Sequence, residues 1–351
     1  MTAVASSDTS PGATGAPPPA PPPSISTRVT RQLGIRVPLI GGAMYPCSNA
    51  ELVAAVSAAG GIGVVQPISL TYVHGHEFRA GLGLIGGLAG GRPIGLNAVV
   101  ETSSRVYHQR MVRWVEIALE EGLRFFVTAL GNPRWVVERV HAAGGLVYHD
   151  VTEARWARKG VDAGVDGLIA VNARAGGHAG RLDPEALLED LAPFGLPVVC
   201  AGGVGDAAAF VAALRLGYDA VQLGTRLIAT PECHAHERYK QAIVDATEDD
   251  IVLTERLTGV PVSVIRTPLV ERLGTRAGPV ARWLLRGRRT KHWMRTVYGL
   301  RAVGRLRTAL SRGDPARDYW QAGKSVAGIG EVTPVSAIVE RFARAARDAG
   351  L

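Results

Sequence analysis

The sequence predicts an α/β protein, a closed (β/α)8 barrel with a mainly helical insertion after the eighth strand. Three observations carry this. Eight short apolar runs alternate with helical patterns. Nearly all of these runs open into glycine or a polar residue, and after Arg226 the alternation stops. Short continuous apolar strands joined by helices mean a parallel sheet covered on both faces. Eight units at close spacing suit closure better than an open sheet, and a closed barrel carries its site at the carboxyl ends of its strands.

The elements follow in order. Seven prolines among Ala, Ser, Gly and Thr fill the first 26 residues, which lack an apolar core-forming run, so residues 1–27 are expected to form a disordered tail. Val37–Ile40 is the first strand, and Ser48 reads as the N-cap of the next helix, with Glu51 at the capping-box position. That helix closes at Gly60-Gly61, and Ile62–Val65 is the second strand. A weak helical pattern spans Phe78–Leu88, and Ile94–Leu96 is the third strand, leading into Asn97. Met111–Glu121, Pro133–Ala143 and Thr152–Ala163 read as helices between the strands Phe125–Thr128, Leu146–Tyr148 and Gly167–Val171. Pro184–Leu191 is a helix with proline in its first turn. Val198–Ala201 and Ala220–Leu223 are the last two strands, with the helix Asp206–Leu216 between them. Residues 28–230 with 331–351 therefore form the barrel, and residues 231–330 the insertion by its mouth. In the insertion, Glu237–Ala246 reads as helical and Ile251–Arg266 as extended. A rough helical stripe runs from Trp283, Leu284, Trp293 and Met294 through Val297, Leu300 and Val303 to Leu306. The amphipathic Val335–Ala349 packs back as the final helix.

Composition narrows the function classes. At 351 residues, 47% hydrophobic and 20% charged, the chain suits a globular protein with a sizeable core. No apolar run reaches the roughly 18 residues a membrane span needs. Cys47, Cys200 and Cys233 lack metal-ligand spacing, no metal is expected, and an odd count argues against a disulfide framework, which points to the cytoplasm. Twelve Lys or Arg and no acidic residue lie between Arg272 and Arg312, and subtracting them from the net +8 leaves −4 for the rest. The body is mildly acidic and carries one basic patch. This patch reads as solvated surface or as a landing site for an acidic or phosphate-bearing ligand. No nucleic-acid motif accompanies it, and nucleic acid is not expected as a partner. A homodimer is among the assemblies the sequence allows.

The chemistry concentrates at the strand ends: Gly41–Met44, Gln66, Asn97, Thr128, His149, Asn172–His178, Gly202-Gly203 and Gly224-Thr225. A strand that opens into glycines and then a helix lets backbone N–H groups approach a phosphate. Two such ends in successive strands, at Gly202-Gly203 and Gly224-Thr225, suggest one phosphate gripped between them. One unit upstream, His178 stands in AGGHAG, a loop too glycine-rich to be a helix face, where an imidazole can meet a ligand.

GGAM after strand one, Asn97 after strand three, AGGHAG after strand six, AGGVG after strand seven and QLGTR after strand eight resemble the nitronate monooxygenases. These enzymes, once called 2-nitropropane dioxygenases, use FMN on a TIM barrel. The resemblance covers roughly residues 30–330 in order and spacing. It implies that Gly41, Gly42, Ala43 and Met44 run beside the flavin ring and that Asn97 hydrogen-bonds it. Gly202, Gly203, Gly224 and Thr225 would hold the FMN phosphate, Gly177 would flank the cofactor, and His178 would be the catalytic histidine beside flavin and substrate. Gln222 is read either as facing the ring or as a core polar group. Some relatives carry a lysine at the end of strand five where this chain has His149-Asp150, with Asp150 read as a helix cap or a site group. The activity implied is oxidation of small alkyl nitronates by O2 to a carbonyl compound and nitrite. The loops are shared with flavin-dependent NAD(P)H reductases of enoyl or acyl thioesters, on CoA or acyl carrier protein, and of quinones, which form the alternative.

Overall fold

The computed structural model describes residues 24–101, 104–257, 259–276 and 304–351. Eight parallel strands close in sequence order: β1 (Leu39–Gly41), β2 (Ile62–Val65), β3 (Ile94–Val99), β4 (Phe125–Ala129), β5 (Leu146–Val151), β6 (Gly167–Val171), β7 (Val198–Ala201) and β8 (Ala220–Leu223). β8 returns to β1 with Gln222 opposite Ile40, so the (β/α)8 barrel is complete. Strand side chains alternate between two apolar compartments. Ile40, Ile62, Val64, Phe125, Val127, Tyr148, Ile169, Val199 and Ala220 fill the inside of the barrel. Leu39, Leu96, Phe126, Val147, Leu168 and Val221 point outward into the shell beneath the helices.

The connecting helices are α2 (Ala50–Ala59), α3 (Phe78–Leu88), α4 (Arg105–Glu120), α5 (Arg134–Ala142), α6 (Ala154–Val161), α7 (Pro184–Leu191) and α8 (Ala207–Leu216). They are preceded by α1 (Arg28–Leu33), whose Val29 and Leu33 join Ile35 in the inner cluster. α1 thus closes the amino-terminal end of the barrel, and its Gln32 carboxamide oxygen accepts from the Tyr148 hydroxyl. Residues 1–23 of the expected tail lie outside the described residues. In its last four residues Ile25 is buried, and its N–H donates to Arg36 O at 2.8 Å.

Several boundaries differ from those read in the sequence. The N-cap of α2 is Asn49, not Ser48, because the Ser48 hydroxyl is occupied in accepting from the Met44 N–H at 2.8 Å. Glu51 accepts from the Asn49 side chain instead of closing a capping box. β3 and β5 run on through Val99 and Val151, so Asn97, His149 and Asp150 lie within strands rather than after them. Asp150 is therefore not a helix cap, and Glu153 occupies the N-cap position of α6. α4 begins six residues earlier than its apolar stripe, at Arg105, because the Ser104 hydroxyl accepts from the Tyr107 N–H.

The insertion is more than helix. α9 (Thr225–Ile228) and α10 (Glu237–Asp245) lead into an antiparallel hairpin, β9 (Ile251–Thr254) with β10 (Val262–Ile265), then α11 (Pro268–Leu273) and a helical segment over 304–312. Leu257, Val262, Val264, Leu269, Val270, Leu306 and Tyr319 form its own small core, against which Tyr45 packs. The stripe from Trp283 to Val303, and with it most of the basic patch, lies outside the described residues.

The C-terminal helix Val335–Asp348 returns to the barrel and packs between α2 and α8. Its Phe342 stacks on Phe210 of α8 at 5.0 Å between ring centroids, and both rings are buried. Phe342→Ala removes a ring that close-packed neighbours cannot fill, so it is expected to cost about 3–5 kcal/mol of stability. Urea unfolding by circular dichroism checks this. A loss under about 1 kcal/mol would mean that the helix contributes little to the barrel.

Candidate active site

The carboxyl ends of the strands form a mouth whose residues follow from strand parity. On β2, Ile62 and Val64 face inward, and so does Gln66 two residues on, buried with its amide oxygen accepting from the Ile68 N–H at 3.0 Å. The same parity turns Asn97 inward on β3. It is buried and makes no side-chain hydrogen bond among the described residues. Gly41 is outward, because a Cβ there would meet Val56 and Leu227. Gly42 is inward against Gln222, whose Cγ lies 3.0 Å from where a Cβ would stand. Gln222 thus lines the interior at the mouth. Met44 lies over the end of the adjacent β8, with its sulfur 3.5 Å from the Cβ position of Gly224.

Two of the strand-end residues do not enter the mouth. Thr128 and His149 sit on the outer faces of adjacent strands, hydrogen-bonded to each other at 2.9 Å. His149 packs under α6, close to Gly160, and burial lowers its pKa to about 4, so it is a neutral structural imidazole. Its neighbour Asp150 takes the inward face, two residues beyond the inner-cluster Tyr148. One carboxyl oxygen of Asp150 is sealed from solvent with no hydrogen bond among the described residues, and burial pushes the carboxyl pKa up to about 7.

The β6 and β7 loops are built as one unit. The Asn172 side chain donates to Gly202 O at 3.1 Å and accepts from the Arg174 N–H at 2.8 Å. Gly202 and Gly203 carry φ of 120° and 85°, which side chains rarely adopt. Arg174 lies over Gly203 and forms an ion pair with Glu248. Next to this, the Thr225 hydroxyl oxygen accepts from the Gly323 N–H at 2.9 Å, and Gly176 lies so close to Gly323 that a Cβ there would stand 2.9 Å from its nitrogen. The returning segment Gln321–Lys324 therefore borders the β6 and β8 loops, with the Lys324 N–H donating to Arg174 O at 2.9 Å. That contribution was not read from the sequence. Its signal was the glycine-lysine pair in AGKS, at the point where the chain re-enters the barrel.

Gly177 is pinned to the insertion by an antiparallel bridge to Ser263 of β10, whose N–H donates to Gly177 O at 2.7 Å. His178 follows directly. It is exposed on the β6 loop, and its ring makes no hydrogen bond among the described residues. The surrounding walls still crowd it, and desolvation lowers its pKa below the ordinary 6.5. A neutral imidazole stands there at pH 7, able to accept or donate one proton. Gly42, Met44, Asn97, Gly177, His178, Gly202, Gly203, Gln222, Gly224 and Thr225 thus share one mouth, and Ala43 lies beside the inner cluster. Gly41 belongs to its outer support.

Fold, mouth and family together define an enzyme barrel of the flavin-dependent oxidoreductase class, with glycine loops at neighbouring strand ends and His178 on the loop beside them. Residues 26–344 match the family model described as nitronate monooxygenase, and the chain belongs to that family. A nitronate monooxygenase of Pseudomonas aeruginosa is 30% identical over 278 residues, covering 67% of this chain and 78% of that one. A Mycobacterium tuberculosis protein, (3aS,4S,5R,7aS)-5-hydroxy-7a-methyl-1-oxo-octahydro-1H-indene-4-carboxyl-CoA dehydrogenase, is 30% identical over 259 residues, covering 72% and 70%. Among solved structures, FabK from Thermotoga maritima superposes with a TM-score of 0.77 at 28% identity, covering 93% of this chain and 98% of that one. No helix among the described residues is long and apolar enough to cross a membrane.

Proposed function

We propose that this chain binds FMN in the barrel mouth and oxidises alkyl nitronates with O2 to a carbonyl compound and nitrite. The observation that carries the reading is the exposed His178 imidazole, held by the Gly177–Ser263 bridge beside the Gly202-Gly203 and Gly224-Thr225 loops. The loops suit the group. Two neighbouring strand ends, β7 and β8, both open into glycine, and Gly202 and Gly203 hold left-handed backbone in which N–H groups can turn toward an anion. Gly202, Gly203, Gly224 and Thr225 would hold the phosphate, and Gly42, Ala43, Met44, Asn97, Gly177 and Gln222 would border the ring. Bound FMN would supply the electron transfer. His178 either donates a hydrogen bond to the nitronate oxygens or accepts the α-proton of a neutral nitroalkane, and its lowered pKa keeps it in the accepting form at pH 7. Ala129 and Val171, half-buried at the inward ends of their strands, would give the mouth apolar wall between its polar groups.

A second reading is an NAD(P)H-dependent reductase of an enoyl or acyl thioester, or of a quinone. It is favoured by the likeness to the CoA-thioester dehydrogenase and to FabK. One experiment separates the two. FMN-loaded protein is mixed without oxygen with an alkyl nitronate, and the flavin absorbance near 450 nm is followed. Bleaching by the nitronate is the expected result. An unchanged spectrum, with bleaching by NADH and reoxidation by a CoA thioester, would overturn it in favour of the reductase. We place the enzyme in the cytoplasm on its three free cysteines, all buried.

A further inference from the structure

We propose that Asp150 presents a neutral carboxylic acid to the bound flavin ring and positions it as a hydrogen-bond donor. This rests on the flavin reading of the same mouth. Parity on β5 puts Tyr148 in the inner cluster and Asp150 on the same face at the mouth, while His149 turns away onto Thr128. The inward neighbours of Asp150 are apolar: Val127 and Ala129 on β4, Ile169 and Val171 on β6. Charged and titratable groups on the adjoining loops are few. Glu153 begins α6 and pairs with Arg155, Arg174 pairs with Glu248, Arg181 lies further along the β6 loop, and His178 is exposed on that loop. None of them acts on the Asp150 carboxyl, whose raised pKa has burial as its cause.

An unsatisfied buried polar group costs about 1–3 kcal/mol, and native proteins rarely keep one without a use. Asp150 as a whole is half-buried while His149 and Val151 beside it are buried, so its open side is the mouth, where a ligand can meet the carboxyl group. The heteroatom edge of an isoalloxazine carries acceptors at N1, O2, O4 and N5 and a single donor at N3–H. A protonated carboxyl fits four of these five positions, an ionised one only the fifth. With no cation acting on it among the described residues, burial favours the protonated form. Asp150 is thus the counterpart, on the β5 side of the mouth, of the loops at β7 and β8 that would take the phosphate.

The test is FMN affinity against pH, read from flavin fluorescence on the full chain between pH 5.5 and 8.5, for wild type, Asp150→Asn and Asp150→Ala. Asn keeps a neutral donor and serves as the reference for the titration of the FMN phosphate and of His178. Relative to Asn, wild type is expected to lose affinity by up to about tenfold per pH unit above pH 7, as the carboxyl ionises. Below pH 6.5 wild type and Asn are expected to bind alike, with Ala roughly tenfold weaker and without the wild-type bend, consistent with one lost hydrogen bond. Parallel wild-type and Asn profiles, or a wild type that tightens as pH rises, would overturn the proposal while leaving FMN binding intact. Absence of quenching by wild type at every pH would remove the flavin reading itself, and this role with it.

Discussion

His178→Ala is expected to keep FMN and to lose about 10²- to 10⁴-fold in turnover, the range that a positioned proton-transfer group contributes. The two halves of that expectation have separate structural grounds. Retention follows because the backbone of the loop is held without the imidazole. Gly177 O accepts from Ser263 N–H, Ala173 N–H donates to Leu182 O, and Gly180 N–H donates to Asn172 O. Loss of turnover follows because the exposed His178 stands on the β6 loop at the carboxyl end of the barrel with no hydrogen bond to its ring among the described residues, whereas His149 is turned outward onto Thr128. Flavin content by absorbance and kcat with a nitroalkane and with its preformed nitronate check both halves. If His178 takes the α-proton, the variant fails on the neutral nitroalkane far more than on the nitronate. The pH profile adds a signature. Desolvation favours the neutral ring, so the wild-type rate with neutral nitroalkane should hold as pH falls to 6.5 and decline only below it. The variant should lack that acidic limb. Full turnover in His178→Ala on both substrates would take the histidine out of the chemistry.

The barrel was legible in the sequence because its signal is repetition: each strand is a short apolar run, and eight of them recur with helical spacers. The glycine loops and the histidine were legible for the related reason that a strand end is where such a run stops. Parity was harder. Thr128, His149 and Asp150 all stand near strand ends, yet the two-residue period sends the first two outward and only the third inward. The register that decides this depends on where β4 and β5 pair, a long-range fact that no local run encodes. Asp150 read as a cap because Asp is a common cap and the strand was ended at Tyr148. In the structure the pairing of His149 with Leu168 and Asp150 with Ile169 extends the strand past both. The N-cap of α2 was missed for a similar reason. Ser48 satisfies a backbone N–H, but it is that of Met44 behind it, not one of the helix ahead. The closing segment Gln321–Lys324 offered a glycine-lysine pair as its local cue, but its partners, Arg174, Gly176 and Thr225, lie about a hundred residues or more upstream, so nothing local set it beside the mouth.

Gly202→Ala is expected to weaken FMN binding by at least about a hundredfold and to destabilise the fold by roughly 1–3 kcal/mol, the usual cost of a side chain forced into such backbone. Two effects coincide at this residue. Its φ of 120° lies where an L side chain is strained whatever the space around it. There is also no space: an added Cβ would stand within 3.0 Å of the Asn172 Oδ1 and of the Ala175 backbone. Neither can yield cheaply. Asn172 is fully buried and holds both Gly202 O and Arg174 N–H, and Ala175 begins the turn that carries Gly176, Gly177 and His178. Relief of the clash must therefore push the β6 loop away from the β7 loop, which separates the phosphate cradle from the histidine. The control is Gly83→Ala on α3, where an added Cβ meets nothing within 4 Å. A helical glycine with free space gains about 0.5–1 kcal/mol from alanine, so that variant should be slightly more stable and bind FMN as wild type does. Urea unfolding and flavin fluorescence on the three proteins decide the matter. If Gly202→Ala binds FMN like wild type, the β7 loop does not hold the phosphate, and the anion site would have to lie at Gly224-Thr225 alone. Loss of FMN with unchanged stability would mean instead that the loops part at little cost and that this shift alone breaks the phosphate cradle.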